Sequence, residues 1–141
     1  MNYLIHQLLK AEEINLIKKQ LDKSSQKDWE DGGKTAGSHA SLVKNNLQLN
    51  RNTEVSKNNA HFVNKKILSS QLIRSFTLAK RIHGIMFTKS SNNMHYGRHI
   101  DNPYMSSGRS DLSFTLSLTN KDFYKGGELI IESMNSEEKF K

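Results

Sequence analysis

Hydrophobic positions follow two different rhythms along the chain. Through the first eighty residues they recur three and four apart, the spacing of one face of a helix. Ile14, Ile17 and Leu21 form such a stripe within Ala11 to Asp22, and Glu12 and Glu13 lie in the first turn, where the helix dipole favours acids. Val55, Phe62, Val63 and Ile67 fall on one side of a second predicted helix, Thr53 to Lys66, with Thr53 as its cap. Ser69-Ser70 restarts a shorter helix through Leu72, Ile73 and Phe76. Ahead of these, Tyr3-Leu4-Ile5 reads as an edge strand, and the polar stretch Ser24 to Lys34 ends in the turn signal Asp31-Gly32-Gly33.

After Arg81 the period shortens. Ile82 to Thr88 is rich in strand formers, and Asn92-Asn93 is turn-like. Leu112, Phe114, Leu116 and Leu118 then alternate with Ser113, Thr115, Ser117 and Thr119, the clearest pattern in the chain. A period of two predicts a strand over Asp111 to Thr119 with one buried face. Gly126-Gly127 closes a turn, and Glu128 to Glu132 starts another strand around Leu129-Ile130-Ile131. The pattern therefore predicts an α+β fold, with a helical support region over 1–80 and a β-rich region over 81–141.

Composition narrows the function classes. The 141 residues suit one domain, and no run approaches the roughly 20 apolar residues of a spanning helix. With no Cys, disulfide scaffolds, thiolate zinc sites and Cys nucleophiles are excluded. Met1 to Lys10 has no basic region followed by an apolar stretch, so a cytoplasmic protein is expected. The net charge of +7 comes from 16 Lys and 5 Arg spread along the chain, beside 14 Asn, which reads as compositional bias. A phosphate grip would cluster Arg and interleave aromatics, so nucleic acid is disfavoured as a partner.

The chemistry concentrates in Met94-His95-Tyr96-Gly97-Arg98-His99-Ile100-Asp101-Asn102. On an extended chain His99 and Asp101 face the same way, with Cα atoms about 6.6 Å apart at roughly 3.3 Å per residue. An imidazole and a carboxylate at that spacing can converge on one divalent ion, as two-thirds of the two-His-one-carboxylate facial triad of non-haem Fe(II) oxygenases. The alternative is a surface hydrogen bond between them. A third ligand is missing: no His follows His99, His83 begins a strand, and His95 lies about 13 Å away along an extended chain.

Met94, Tyr96-Gly97, His99-x-Asp101-Asn102, Met105, Arg109-x-Asp111-Leu112-Ser113, Gly126-Gly127-Glu128-Leu129 and Ile131-Glu132 together resemble the iron(II)/2-oxoglutarate-dependent dioxygenases, and more narrowly the PKHD-type hydroxylases related to prolyl 4-hydroxylase. Trp29-x-Asp31-Gly32, Thr35-Ala36-Gly37 and Lys44-Asn45-Asn46-x-Gln48-Leu49 are similar to that family's opening. Two positions depart from it: the family usually has an aromatic residue where Ser90 stands and Gly where Asn93 stands.

The resemblance implies N-terminal helices packed on a double-stranded β-helix, the jelly-roll core. It makes His99 and Asp101 the first two iron ligands. Tyr96 becomes a neighbour of 2-oxoglutarate or simply a packed ring. Arg109 either orients an acidic group or pairs with Asp111, and Lys44 with Asn45-Asn46 either lines the site's mouth or forms a polar turn. The implied activity is oxidative decarboxylation of 2-oxoglutarate coupled to substrate hydroxylation. Fe(II) is the cofactor, 2-oxoglutarate and O₂ are co-substrates, and ascorbate is the reductant. The substrate is a small molecule or a protein side chain. The family's distal His and its 2-oxoglutarate-binding Arg come later than Lys141, so about the first half of the barrel is expected, with little or no activity from this chain alone. Its open sheet edge offers self-association. Two alternatives stand beside this one: a non-catalytic remnant of the fold that binds a partner, and a small basic nucleic-acid-binding protein.

Overall fold

The computed structural model describes residues 3–105 and 108–141. Met1 and Asn2, the start of the expected first segment, lie outside the described residues. In chain order the elements are α1 (Ala11–Asp22), β1 (Trp29–Asp31), a short α2 (Ser38–Ser41), β2 (Lys44–Asn45), β3 (Leu47–Leu49), α3 (Glu54–Ser69), α4 (Gln71–Thr77), β4 (Thr88–Lys89), β5 (His95–Tyr96), β6 (Tyr104–Met105), β7 (Gly108–Arg109), β8 (Leu129–Glu132) and β9 (Glu137–Phe140).

The helices begin and end where the side chains instruct them to. The Lys10 N–H donates to the Glu13 carboxylate at 2.9 Å, closing the first turn of α1. The Thr53 hydroxyl accepts from the Ser56 N–H at 3.2 Å at the start of α3, which runs three residues beyond the expected Lys66. Ser70 leaves helical geometry, with ψ 111, and its hydroxyl accepts from the Ile73 N–H at 3.3 Å to start α4. One serine thus ends one helix and caps the next. An ion pair from Lys66 to Glu13 ties α3 to α1.

The core lies between α1, α3 and the first sheet. Leu9, Ile17, Leu49, Val63, Ile67 and Phe87 are its buried residues. That sheet has the order β1-β3-β4, with Trp29 opposite Leu49 and Gln48 opposite Thr88. The remaining described strands form three antiparallel pairs: β2 with β5, β6 with β7, and β8 with β9. The α+β expectation holds, but these sheets are smaller than the double-stranded β-helix the resemblance implies. No described helix is long and apolar enough to cross a membrane.

Three expected strands come out differently. Tyr3-Leu4-Ile5 forms no ladder among the described residues; instead the Tyr3 hydroxyl donates to Glu138, and its ring meets Phe140 edge-on at 5.0 Å. Ile82 to Thr88 contributes only Thr88 to a strand. Its apolar residues are held by side chains instead: Phe87 is buried, and Ile82 and Ile85 pack against the core. Asp111 to Thr119, the best alternation in the chain, pairs with nothing among the described residues. Leu116 and Leu118 reach the core while Leu112 and Phe114 stay 53% and 49% exposed. Alternation encodes a face to be covered; it names no neighbour to complete the ladder. Conversely β9, polar and unexpected, forms because the Ser133 N–H donates to the Ser136 carbonyl at 2.8 Å and closes a hairpin onto β8.

Candidate metal centre

The pairing of β2 with β5 builds the ground on which His99 stands. Lys44 lies opposite Tyr96 and Asn45 opposite His95. The turn before β5 is anchored by the Asn45 amide, which donates to the Asn93 carbonyl at 3.2 Å. Asn93 itself has φ 65, in the left-handed region that Gly or Asn adopts most easily. The departure from Gly at this position is therefore conformationally mild.

After β5 the chain passes very close to β2. The Gly97 N–H donates to the Val43 carbonyl at 2.7 Å. A Cβ at Gly97 would stand 3.0 Å from the Val43 Cβ, so this approach is made by a residue without a side chain. The Gly97 carbonyl then faces His99 Nδ1 at 2.7 Å. A carbonyl oxygen only accepts, so Nδ1 carries the hydrogen and Nε2 of the neutral ring keeps its lone pair. Nε2 stands 3.3 Å from Asp101 Oδ1. Two acceptors facing each other repel unless a proton or a cation lies between them. The Tyr96 ring stacks on the imidazole, with centroids 3.7 Å apart and planes 11° from parallel. Burial, then the Asp101 charge, pushes the Tyr96 hydroxyl pKa up.

The donor pair suits a divalent transition ion. One imidazole nitrogen and one carboxylate oxygen match the preferences of Fe(II) and its neighbours in the first row. Two adjacent ligands of an octahedral ion, each about 2.1 Å from it, stand about 3.0 Å apart. The observed 3.3 Å is close to that separation. The His99 side chain is 24% exposed and that of Asp101 65%, so one side of the pair is open. A Nδ1–H bond to a backbone carbonyl is also how metal-binding histidines are commonly oriented.

Tyr96, His99 and Asp101 thus come together. Arg109 does not join them through any hydrogen bond, ion pair or ring contact among the described residues. Its Nε faces Asp111 Oδ1 at 2.6 Å, and its carbonyl accepts from His83 Nε2 at 2.9 Å. His95 points from an exposed position on β5. No group of three or more His, Asp or Glu side chains able to hold a metal occurs among the described residues.

Lys44 is the residue whose placement the spacing argument underrated. It is buried, its Nζ is 5.0 Å from the Tyr96 ring centroid, and that ammonium donates to the Thr35 hydroxyl at 3.5 Å. Burial and, next, the Arg51 charge lower its pKa, against a smaller pull from Asp31. Gln48, also buried, accepts from the same Thr35 hydroxyl at 2.6 Å. The signal for this cluster was the run Lys44-Asn45-Asn46-x-Gln48, polar residues at strand spacing where a core strand would be apolar.

The chain is similar along its whole length to several curated proteins of Prochlorococcus marinus. It is 86% identical over 141 residues to a PKHD-type hydroxylase of strain MIT 9301, covering all of this chain and 64% of that protein. It is 67% identical to a PKHD-type hydroxylase of strain MIT 9312 and 66% to one of strain AS9601, each over all of this chain and 63% of the relative. The chain therefore spans just under two thirds of the length of these relatives. No family model and no solved structure matches it.

Proposed function

Since the chain is homologous from end to end to PKHD-type hydroxylases, we propose that it carries two metal ligands, His99 and Asp101, of an Fe(II)- and 2-oxoglutarate-dependent hydroxylase. The carrying observation is the orientation of His99: Nδ1 is committed to the Gly97 carbonyl, and Nε2 is directed at Asp101 Oδ1 across 3.3 Å. In this reading 1–80 supports the site, and 81–141 is the first part of a dioxygenase domain whose barrel the remaining length of the relatives completes. The substrate is a small molecule or a protein side chain, and O₂ is the oxidant. When bound, Fe(II) supplies the oxidative chemistry that couples decarboxylation of 2-oxoglutarate to hydroxylation of a C–H bond, with ascorbate restoring the reduced ion.

The chain's own residues do the holding. Gly97 fixes the imidazole tautomer at Nδ1. Asp101 presents a carboxylate oxygen beside Nε2 and supplies negative charge for a cation. Tyr96 covers one face of the imidazole and keeps water from it.

The test is anaerobic addition of 2-oxoglutarate to the chain loaded with Fe(II). A visible charge-transfer absorption that requires the metal, the oxo-acid and His99 together is the expected result. Absorption that persists unchanged in His99→Ala, or that never develops at saturating metal and oxo-acid, overturns the assignment.

A further inference from the structure

We propose that Lys44 is a positioning residue for His99, acting through the ring of Tyr96 from the buried strand β2. A hydrogen bond from Nδ1 to the Gly97 carbonyl leaves the imidazole free to pivot about that bond. The stack on Tyr96, at 3.7 Å and 11°, removes the pivot. The Tyr96 ring is itself 41% exposed and needs to be held in turn. Lys44 is its direct cross-strand partner, so the two side chains leave the same face of the ladder. The Lys44 ammonium stands 5.0 Å from the ring centroid.

Lys44 is suited to this task by what surrounds it. Only 9% of the residue is exposed. Among the described residues it makes no ion pair, and its hydrogen bond to Thr35 is long, at 3.5 Å. An ammonium drawn partly out of water, with so few partners, interacts more strongly with an aromatic face than one in bulk solvent. Its neighbour Val43 holds the same segment by the backbone, through the 2.7 Å bond from Gly97. Val43, just before β2, and Lys44, within it, therefore grip the Gly97 backbone and the Tyr96 ring, and link the orientation of the His99 imidazole to buried structure. The consequence for metal binding rests on the function proposed above; the positioning itself does not.

The experiment is proton NMR of the metal-free 141-residue chain, wild type, Lys44→Met and Lys44→Arg. Methionine keeps the stem and loses the charge, whereas arginine keeps a cation for the ring. The His99 ring protons in the wild type are expected upfield, shifted by the stacked Tyr96 ring. In Lys44→Met they move toward their free-histidine positions, and in Lys44→Arg they return most of the way. His99 resonances unchanged by Lys44→Met overturn the proposal. Should Lys44→Met fail to fold, the wild type decides: cross-relaxation from the Lys44 ε-methylene protons to the Tyr96 ring, and from that ring to His99, supports the proposal, and its absence overturns it. Co(II) titration of the same proteins separates the two claims. Weaker binding by Lys44→Met than by the wild type supports positioning of a ligand, while Co(II) affinity untouched by His99→Ala removes the metal reading and leaves the NMR result standing.

Discussion

Leu49 and Leu112 are the same residue in similarly patterned sequence, yet one is fully buried and the other 53% exposed. The contrast holds for the two regions they represent. Every buried side chain among the described residues lies between Leu9 and Phe87. From Thr88 onward none of the described residues is buried, and Ile100, Tyr104, Phe123 and Met134 are largely in water. The helices and the first sheet close a core because each apolar stripe meets another. The later strands present their apolar faces without a second layer across them. The His99–Asp101 pair belongs to the exposed region by position but to the buried one by support, since Val43 and Lys44 hold it.

The largest effect expected from this difference is on stability. Leu49→Ala should cost about 2–5 kcal/mol, the range for a buried leucine that leaves a cavity. Leu112→Ala should cost well under ~1 kcal/mol, as for a surface change. Urea unfolding of the two variants checks this, and equal costs would erase the distinction between the regions.

Gly97→Ala comes next. Its Cβ would press on Val43 from 3.0 Å, and forced contacts of this kind cost roughly 1–3 kcal/mol. The expected mark is a lower melting temperature together with weaker Co(II) binding, because the carbonyl that orients His99 must shift. A drop in stability with metal binding intact would detach the site from β2.

Thr53→Ala removes the cap of α3 and should cost about 1 kcal/mol in the same urea assay. The smallest effect concerns pH. The Lys66 ammonium, then the Lys10 N–H, hold the Glu13 carboxyl below the usual glutamate range. A group whose pKa is depressed by folding stabilises above its unfolded value and loses that contribution as pH falls through the folded one. Melting temperature should therefore decline as pH drops from the ordinary glutamate range downward, and Lys66→Met should flatten that decline slightly.

The helical part of the fold was legible because its instructions are local. The stripe of Ile14, Ile17 and Leu21 and the caps at Thr53 and Ser70 act within a few residues of the structure they set. The strands were legible only as faces. Asp111 to Thr119 has its alternation and no ladder, while Glu137 to Phe140 has a ladder without the pattern, because pairing is decided by distant chain. The site divides in the same way. His99 and Asp101 could be read from a spacing of two, but Lys44 lies more than fifty residues earlier and reaches them only through the register of β2 on β5.

The central claim is that His99 and Asp101 share one divalent ion, and titration of the chain with Co(II), followed by visible absorption, tests it most directly. One ion per chain is expected, with affinity reduced about tenfold or more by His99→Ala and by Asp101→Asn alike. Wild-type affinity in either variant would contradict it.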